Sequence, residues 1–195
     1  MKQSDIKELY FITSISNVPS IMQYGVVSNR LSKKLVHKSI AIQAIQARRK
    51  NKQIPNAGKL HDYANLYFDA HNPMLSARRN LNNEICILRI DSTILDLPNI
   101  IIADQNAASD YVRFYNVAEG LRALNKDEVF AQFWLHDNLI EYYRHSAVKC
   151  AEVLVPNKVE PKYICGAIVA NKTALAVFCK LKIGLTVEIK SGIFF

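Results

Sequence analysis

The sequence predicts an α+β fold. Strand-like and helix-like segments follow one another without the regular rhythm of a doubly wound parallel sheet, and there is no internal repeat or low-complexity segment. The length of 195 residues suits one domain with a sizeable core. We therefore expect a single domain over residues 1–195.

Local patterns support each predicted element. The first strand is predicted at residues 10–15, and the helix after it, residues 17–23, has Pro19 in its first turn and Gly25 just beyond its end. Short apolar or aromatic runs predict the further strands, at residues 64–69, 84–90, 100–103, 151–155, 163–169 and 186–190. Helices are predicted at residues 39–50, where the apolar stripe is thin, 126–134 and 172–179.

The charge of the chain favours an anionic partner. The net charge is +8 and the pI is about 9.3, which favours nucleic acid or a phosphorylated small molecule over an acidic protein surface. Residues 30–59 carry much of the excess and include no acidic residue. A solvated basic helix is the alternative interpretation of this segment.

Targeting and metal signals are missing from the sequence. No apolar run approaches the roughly 20 residues that cross a bilayer, and the N-terminus lacks the apolar core of a signal peptide. We expect a cytoplasmic monomer that does not contact a membrane. The four cysteines are widely spaced in apolar segments and the histidines lack metalloenzyme spacing, which predicts buried reduced thiols and no metal.

Common phosphate-binding and nucleophile motifs are also missing. The sequence has neither GxGxxG nor GxxxxGK[ST], so a nucleotide would be held without a glycine-rich loop. It has no GxSxG elbow, which leaves acyl transfer poorly supported.

Glu152 lies inside an apolar strand-like run. Alternation along a strand directs Glu152 and Leu154 to one face and Val153 and Val155 to the other. Taken alone, the pattern favours an edge-strand glutamate that faces water. Burial of the carboxylate would require a partner for its charge.

Five blocks, in order, resemble the DarT family of DNA ADP-ribosyltransferase toxins. They cover most of the chain from about residue 10 to 170 and occur at residues 11–21 with Gly25, 45–49 with Ile54-Pro55, 60–68 with residues 72–75, 104–108 and 151–156. The resemblance implies an ADP-ribosyltransferase-like fold with a central split β-sheet and a cleft for NAD⁺. It also implies cleavage of NAD⁺ at the nicotinamide–ribose bond, transfer of ADP-ribose to a base in single-stranded DNA, usually thymidine in a short sequence motif, and a macrodomain antitoxin of the DarG type.

The resemblance also assigns residues. Glu152 matches the catalytic glutamate, and Arg49, with Arg48 as the alternative, matches the catalytic arginine. Residues 33–51 match the NAD⁺-binding element and residues 110–152 the acceptor loop. Members often have a histidine where this chain has Ser14. The predicted cofactor-binding residues are Ile12, Thr13, Ser14, Asn17, Arg49 and Tyr67.

The chemistry of these side chains suits the implied roles. A carboxylate near the ribose can stabilise the positive charge that develops as nicotinamide leaves, and an arginine fork can hold two phosphate oxygens. Aromatic rings over basic side chains can stack single-stranded bases. The predicted nucleic-acid-binding residues are Met74, Arg78, Arg113, Phe114, Tyr115 and Arg144. Phe130 and Trp134 are expected in the core instead.

Other functions remain open. The same fold could modify guanine in DNA, RNA or protein, and the chain could also be a non-catalytic basic module that binds nucleic acid. Intact Glu152 and Arg49 argue against the non-catalytic alternative.

Overall fold

A computed structural model describes all residues, 1–195. The strands are β1 (Glu8–Ser14), β2 (Val26–Val27), β3 (Gln53–Ile54), β4 (Gly58–Lys59), β5 (Tyr63–Tyr67), β6 (Ile85–Asp91), β7 (Ile101–Ala103), β8 (Phe114–Asn116), β9 (Glu152–Pro156), β10 (Lys158–Val159), β11 (Ile164–Val169) and β12 (Val187–Ile189). The α-helices are α1 (Val18–Tyr24), α2 (Asn29–Ser32), α3 (Gln43–Asn51), α4 (Pro73–Ser76), α5 (Val117–Ala123), α6 (Lys126–Val129), α7 (Leu139–Val148) and α8 (Lys172–Cys179). Short 3₁₀ turns occupy Gln3–Asp5, Ile15–Asn17, Leu60–Asp62, Arg79–Leu81, Ser92–Asp96, Pro161–Tyr163 and Ser191–Ile193.

One large sheet organises the molecule. Its eight strands lie in the order β12-β11-β6-β1-β5-β9-β7-β8. All neighbouring strands are antiparallel except β11 and β12. This mixed arrangement confirms the predicted α+β class.

The sheet is nearly divided in its middle. β1 pairs with β6 along all seven of its residues, from Glu8 to Ser14, whereas it pairs with β5 only where Tyr10 lies opposite Tyr67. Beyond that pair the two strands separate, because β5 continues in register with β9 alone. The sheet therefore splits between β1 and β5, as the resemblance implies.

Apolar side chains cover both faces of the sheet. The largest cluster has 28 buried residues and includes Val153 and Val155, while Leu154 belongs to a separate cluster on the opposite face. The predicted alternation of side chains along β9 is therefore confirmed. α8 packs on the largest cluster through Ala174 and Phe178, and its bounds match the prediction.

Two predicted helices are shorter than expected. The helix predicted at residues 39–50 begins only at Gln43, because the preceding backbone is held by side chains: Asn17 bonds to Lys38 on both its amide N–H and its carbonyl, and Arg78 donates to the carbonyl of Ile40. The helix predicted at residues 126–134 ends at Val129. The chain then turns so that Trp134 packs against other aromatic rings.

Some burial predictions are wrong. Cys86 and Cys150 are buried free thiols as expected, but Cys165 and Cys179 are exposed. Trp134 is buried as predicted, whereas Phe130 is exposed. No helix in the structure is both long enough and apolar enough to span a membrane, and no three His, Cys, Asp or Glu side chains group as metal ligands would.

Candidate active site

Glu152 is enclosed at the first position of β9. This strand lies between β5 and β7, where Glu152 is opposite Tyr67 on one side and Ala103 on the other. The side chain has no solvent exposure, with a relative accessible area of 0%. The hypothesis of a water-facing edge glutamate is therefore wrong, because β9 is an interior strand and its carboxylate has a partner.

That partner is Arg49 of α3. Its Nη1 and Nη2 atoms donate to Oε1 and Oε2 of Glu152 at 2.8 and 3.0 Å. Arg49 is only 6% exposed, whereas the neighbouring Arg48 is exposed. Burial alone would lower the pKa of Arg49, but the Glu152 carboxylate outweighs it and the pKa is raised. Arg49 is therefore charged at neutral pH.

A backbone amide completes the environment of the carboxylate. The N–H of Ala107 donates to Oε1 of Glu152 at 2.9 Å. The loop that carries it is fixed locally, because the Asn106 amide bonds to the carbonyl of Ala147 and the Asn106 carbonyl accepts from Ser109. Residues 104–108 form one of the five sequence blocks that resemble the DarT family, so the sequence did mark this loop. The sequence alone assigned it no role.

The buried pair keeps unused hydrogen-bonding capacity. A carboxylate can accept about four hydrogen bonds, and Glu152 accepts three within the protein. A guanidinium has five N–H groups, and Arg49 uses two of them. One acceptor position and three donors are thus free, which suits a sugar hydroxyl beside Glu152 and a phosphate beside Arg49.

The residues next to the pair are neutral at physiological pH. Burial, reinforced by the charge of Glu152, raises the pKa of Tyr67 well above its usual value. Burial and the positive charges of Arg49 and Lys33 lower the pKa of His61. The Nε2 atom of His61 is buried and has no hydrogen-bond partner in the protein. His61 therefore presents an uncommitted imidazole nitrogen near Arg49.

The end of β1 brings together only part of the predicted cofactor group. Ile12 packs in the same apolar cluster as Tyr67, and alternation places Ser14 on that face as well. The side chain of Thr13 points to the opposite face, where it accepts a hydrogen bond from Asn17 at 3.1 Å. Thr13 can therefore face the cleft only with its backbone, and the amide of Asn17 is occupied by Thr13 and Lys38.

The predicted DNA-binding residues lie in three separate places. Met74 borders the apolar cluster of Tyr67, and the guanidinium of Arg78 bonds to the carbonyls of Ile40 and Ala77. Arg144 is engaged with Glu128 and Glu141 on the surface. A phosphate would have to displace those carboxylates.

Of the remaining candidates, Phe114 and Tyr115 lie on β8 at the edge of the sheet, and Arg113 lies just before it. Phe114 is opposite Ala103, which in turn is opposite Glu152. Directly paired residues point to the same face of the sheet. Phe114 and Glu152 therefore share a face and lie two strand spacings, about 10 Å, apart. It also packs on an apolar cluster that includes Ala107 and Leu154. Tyr115 points to the other face, and Arg113 is exposed.

A comparison with known families decides the family. The family model described as "ssDNA thymidine ADP-ribosyltransferase, DarT" matches residues 10–195 of this chain. The chain belongs to the DarT family. A DNA ADP-ribosyl transferase–DNA ADP-ribosyl glycohydrolase fusion protein of Thermosipho africanus is 31% identical over 174 residues, which are 85% of this chain and 43% of that protein. A DNA ADP-ribosyl transferase of Thermus aquaticus is 29% identical over 65% of this chain and 62% of its own length. The chain thus spans less than two thirds of the length of these DarT relatives.

Solved DarT structures share the fold. Thermosipho africanus DarTG in complex with ADP-ribose superposes with a TM-score of 0.85 at 26% identity, over 97% of this chain and 51% of that one. Thermus sp. 2.9 DarT in complex with ADP-ribosylated ssDNA gives a TM-score of 0.81 at 23% identity, over 98% of this chain and 97% of that one. The ADP-ribosyltransferase-like fold is therefore the fold of this DarT chain.

Proposed function

We propose that this protein transfers ADP-ribose from NAD⁺ to thymidine in single-stranded DNA and releases nicotinamide. The observation that carries the proposal is the buried Arg49–Glu152 pair, which retains one free acceptor and three free donors. The family description names thymidine in single-stranded DNA. A solved relative, Thermus sp. 2.9 DarT, holds ADP-ribosylated single-stranded DNA, and another structure of it holds NAD⁺.

In the proposed reaction the bond between the nicotinamide nitrogen and ribose C1′ breaks, and its electron pair leaves with nicotinamide. A base nitrogen bonds to C1′, and the reaction releases one proton. Positive charge develops on the ribose before the new bond is complete. Glu152 stabilises that charge, and its remaining lone pair accepts a hydrogen bond from a ribose hydroxyl.

Arg49 has two proposed roles. Its Nη1 and Nη2 atoms fix the orientation of the Glu152 carboxylate. Its remaining N–H groups bind the pyrophosphate of NAD⁺. The neutral side chains of Tyr67 and His61 add no charge that would compete with this pair. Ile12, Ser14 and the backbone of Thr13 line the proposed nicotinamide end, and Asn17 holds the backbone of Lys38 beside it.

The proposal extends to the setting of the reaction. A macrodomain antitoxin that reverses the modification is proposed from the relative in which the transferase is fused to a glycohydrolase. We propose the cytoplasm as the location, because both NAD⁺ and DNA are found there. We also propose a monomer with a single domain, and the single domain is supported by one sheet whose strands span residues 8–189.

The decisive experiment offers several acceptors separately. The protein is incubated with NAD⁺ and with single-stranded DNA, duplex DNA, RNA or a protein pool, and the products are analysed by mass spectrometry. We expect ADP-ribose on thymidine of the single strand, because a duplex would add a cost of a few kcal/mol to unpair and unstack the base. ADP-ribose on guanine, RNA or protein would establish the corresponding alternative, and binding without any transfer would indicate a non-catalytic module.

A further inference from the structure

Three aromatic rings meet beyond the end of β5. His71 follows this strand, Trp134 lies in the proposed acceptor loop (residues 110–152), and Phe195 follows the last 3₁₀ turn. The rings of His71 and Phe195 are stacked, with centroids 4.3 Å apart and planes inclined by 17°. The Trp134 ring makes edge contacts with both, at 5.7 and 5.6 Å. Aromatic rings prefer such offset and edge arrangements. These three residues, the aromatic triad, therefore join parts of the chain that are far apart in sequence.

Hydrogen bonds fix the stacked pair. The Nδ1 atom of His71 lies 2.8 Å from the carbonyl oxygen of Ile193. Because a carbonyl oxygen only accepts, Nδ1 carries a proton and donates it to this bond. The side-chain amide of Asn82 donates to the carbonyl of Phe195 at 2.8 Å, and Phe194 is buried in the apolar cluster that borders the candidate site. The ring of Phe195 is therefore held on the imidazole independently of the acceptor loop.

Trp134 anchors an otherwise exposed part of the acceptor loop. Residues 131–137 form neither helix nor strand, and Trp134 is the one buried side chain among them. Its neighbours Phe133 and Leu135 are 76% and 75% exposed. The one side-chain hydrogen bond of this stretch joins His136 to His145 at 2.8 Å. The position of the stretch therefore depends on how firmly the indole is held.

Lys149 connects the triad to the candidate active site. Its Nζ atom lies 5.9 Å from the centre of the Trp134 ring and donates to Oδ2 of Asp69 at 2.5 Å. The other carboxylate oxygen of Asp69 accepts from the backbone N–H of His71 at 3.0 Å. Contacts from the indole and from His71 thus meet at Lys149, which is buried and lies three residues before Glu152.

We propose that His71 and Phe195 position the acceptor loop for transfer to DNA. By holding Trp134 they fix residues 131–137 and, through Lys149, the entry of the chain into β9. They are positioning residues, because their effect passes through Trp134 and Lys149. A displacement of about 1 Å at the reacting atoms can cost about 100-fold in rate. This inference rests on the proposed function and adds to it the contacts that align the acceptor with Glu152.

Phe195 offers the cleanest test, because its side chain is at the surface, with 40% exposure, and its replacement should leave the fold intact. Phe195→Leu keeps an apolar side chain but removes the ring, whereas Phe195→Tyr keeps the ring. Tyr24→Leu removes a ring of similar exposure, 44%, at the end of α1 and is the matched control. Thermal unfolding verifies that each variant is folded.

Transfer is measured in a single turnover with saturating NAD⁺ and a thymidine-containing single strand, and NAD⁺ affinity is measured by calorimetry. We expect Phe195→Leu to lower the rate constant for transfer about tenfold. NAD⁺ affinity should stay unchanged, because the proposed cofactor residues lie outside the triad. Phe195→Tyr and Tyr24→Leu should transfer at nearly the wild-type rate. A merely structural role would instead lower NAD⁺ affinity and transfer together.

Trp134 reports on the contact itself, because it is the only tryptophan in the chain. We expect Phe195→Leu to shift its emission to longer wavelength and to increase its quenching by acrylamide, since the indole loses a ring that shields it from water. His71→Leu should slow transfer in the same way. The double variant should be no slower than the slower single variant, because both rings act through one indole.

The outcomes separate the two proposals. If the wild type modifies DNA and Phe195→Leu is equally fast, or leaves tryptophan emission unchanged, the rings do not position the loop. Parallel losses of transfer and NAD⁺ affinity, or additive losses in the double variant, would also contradict the inference. If the wild type modifies no DNA at all, the proposed function fails, and the role of the triad in transfer fails with it.

Discussion

The guanidinium of Arg49 and the carboxylate of Glu152 form a two-point ion pair between residues 103 positions apart in the chain. It joins α3, in the basic part of the chain, to an interior strand of the sheet. Two buried charges are tolerable only together, because removal of either partner leaves the other without compensation, at a typical cost of about 3–5 kcal/mol. The pair is therefore part of the candidate site and part of the fold, and variants must be chosen to separate the two roles.

Glu152→Gln separates them best. Glutamine keeps the shape of the side chain and one acceptor for the Ala107 N–H, but it removes the negative charge, so transfer should fall by roughly three orders of magnitude. Glu152→Ala should also lose activity, but it leaves the Arg49 guanidinium without a partner and should be markedly less stable. Mass spectrometry of the DNA product and thermal unfolding measure the two effects. Substantial turnover by Glu152→Gln would remove Glu152 from the proposed mechanism.

Arg49→Lys tests the two hydrogen bonds that the guanidinium donates to the Glu152 carboxylate. Arg48→Lys is its matched control. Lysine keeps the charge at residue 49 but cannot make two parallel hydrogen bonds to one carboxylate. Transfer should fall by about 100-fold or more, and NAD⁺ should bind more weakly by calorimetry. Arg48 is exposed, so Arg48→Lys should leave both quantities nearly unchanged. The reverse result would assign the catalytic arginine to residue 48.

The elements that the sequence predicted well are those with strong local signals. α8 begins after Asn171, whose side chain caps the helix by accepting from the N–H of Ala174. α1 ends before Gly25, where the backbone has φ of +91° and an added Cβ would come within 2.2 Å of the Val159 carbonyl oxygen. Capping and turn residues act over a few positions, and a sequence displays them directly.

The parts that sequence reasoning missed depend on contacts between distant segments. The burial of Glu152 follows from the position of β9 between β5 and β7, and strand order is not visible in an alternation pattern. The Ala107 N–H contributes through the backbone, so residue type carries no signal for it. The exposure of Cys165 follows from its position at an irregularity in the pairing of β11 with β6. Each depends on tertiary structure overriding local preference.

Lys149→Met is expected to destabilise the protein by about 3–5 kcal/mol. The Lys149 ammonium is fully buried and donates to Asp69 at 2.5 Å and to the carbonyl of Val129 at 3.0 Å. Methionine keeps the apolar stem but leaves both acceptors unpaired. Lys126→Met removes an exposed pair with Asp5 and should change stability very little, because water screens such pairs. Equal losses in chemical denaturation would contradict a structural role for the buried ammonium.

His61 should make stability depend on pH. Its pKa in the folded protein is lowered by burial and by the charges of Arg49 and Lys33, whereas the unfolded value is about 6.5. As the pH falls below that value, the unfolded chain takes up the proton more readily than the folded one, so stability decreases. The decrease begins near the unfolded pKa and stops once the pH is below the folded pKa.

The comparison for His61 uses two variants in denaturant titrations between about pH 7.5 and 5.5. His61→Gln removes the titrating group and should reduce the loss of stability over this interval. His37→Gln replaces an exposed histidine and should keep the wild-type slope. If His61→Gln and the wild type lose stability in parallel, the environment of His61 does not control this pH response.

Lys50 should contribute to the electrostatic part of DNA binding. It is exposed on α3 next to Arg49 and has no ion-pair partner in the structure. Each phosphate neutralised on a single strand contributes about −0.7 to the slope of log affinity against log salt concentration, because bound cations are released. Lys50→Ala should therefore reduce that slope by about 0.7 and weaken binding to a similar extent for all sequences.

The control for Lys50 is Lys180→Ala, which removes the same charge after α8, on the side of the largest apolar cluster. Fluorescence anisotropy of labelled oligonucleotides at several salt concentrations gives the slopes. Lys180→Ala should retain the wild-type slope, since a charge outside the strand's path releases no counterion from it. Equal slopes for all three proteins would place the DNA path away from α3, and a slope near zero in the wild type would indicate an acceptor other than nucleic acid.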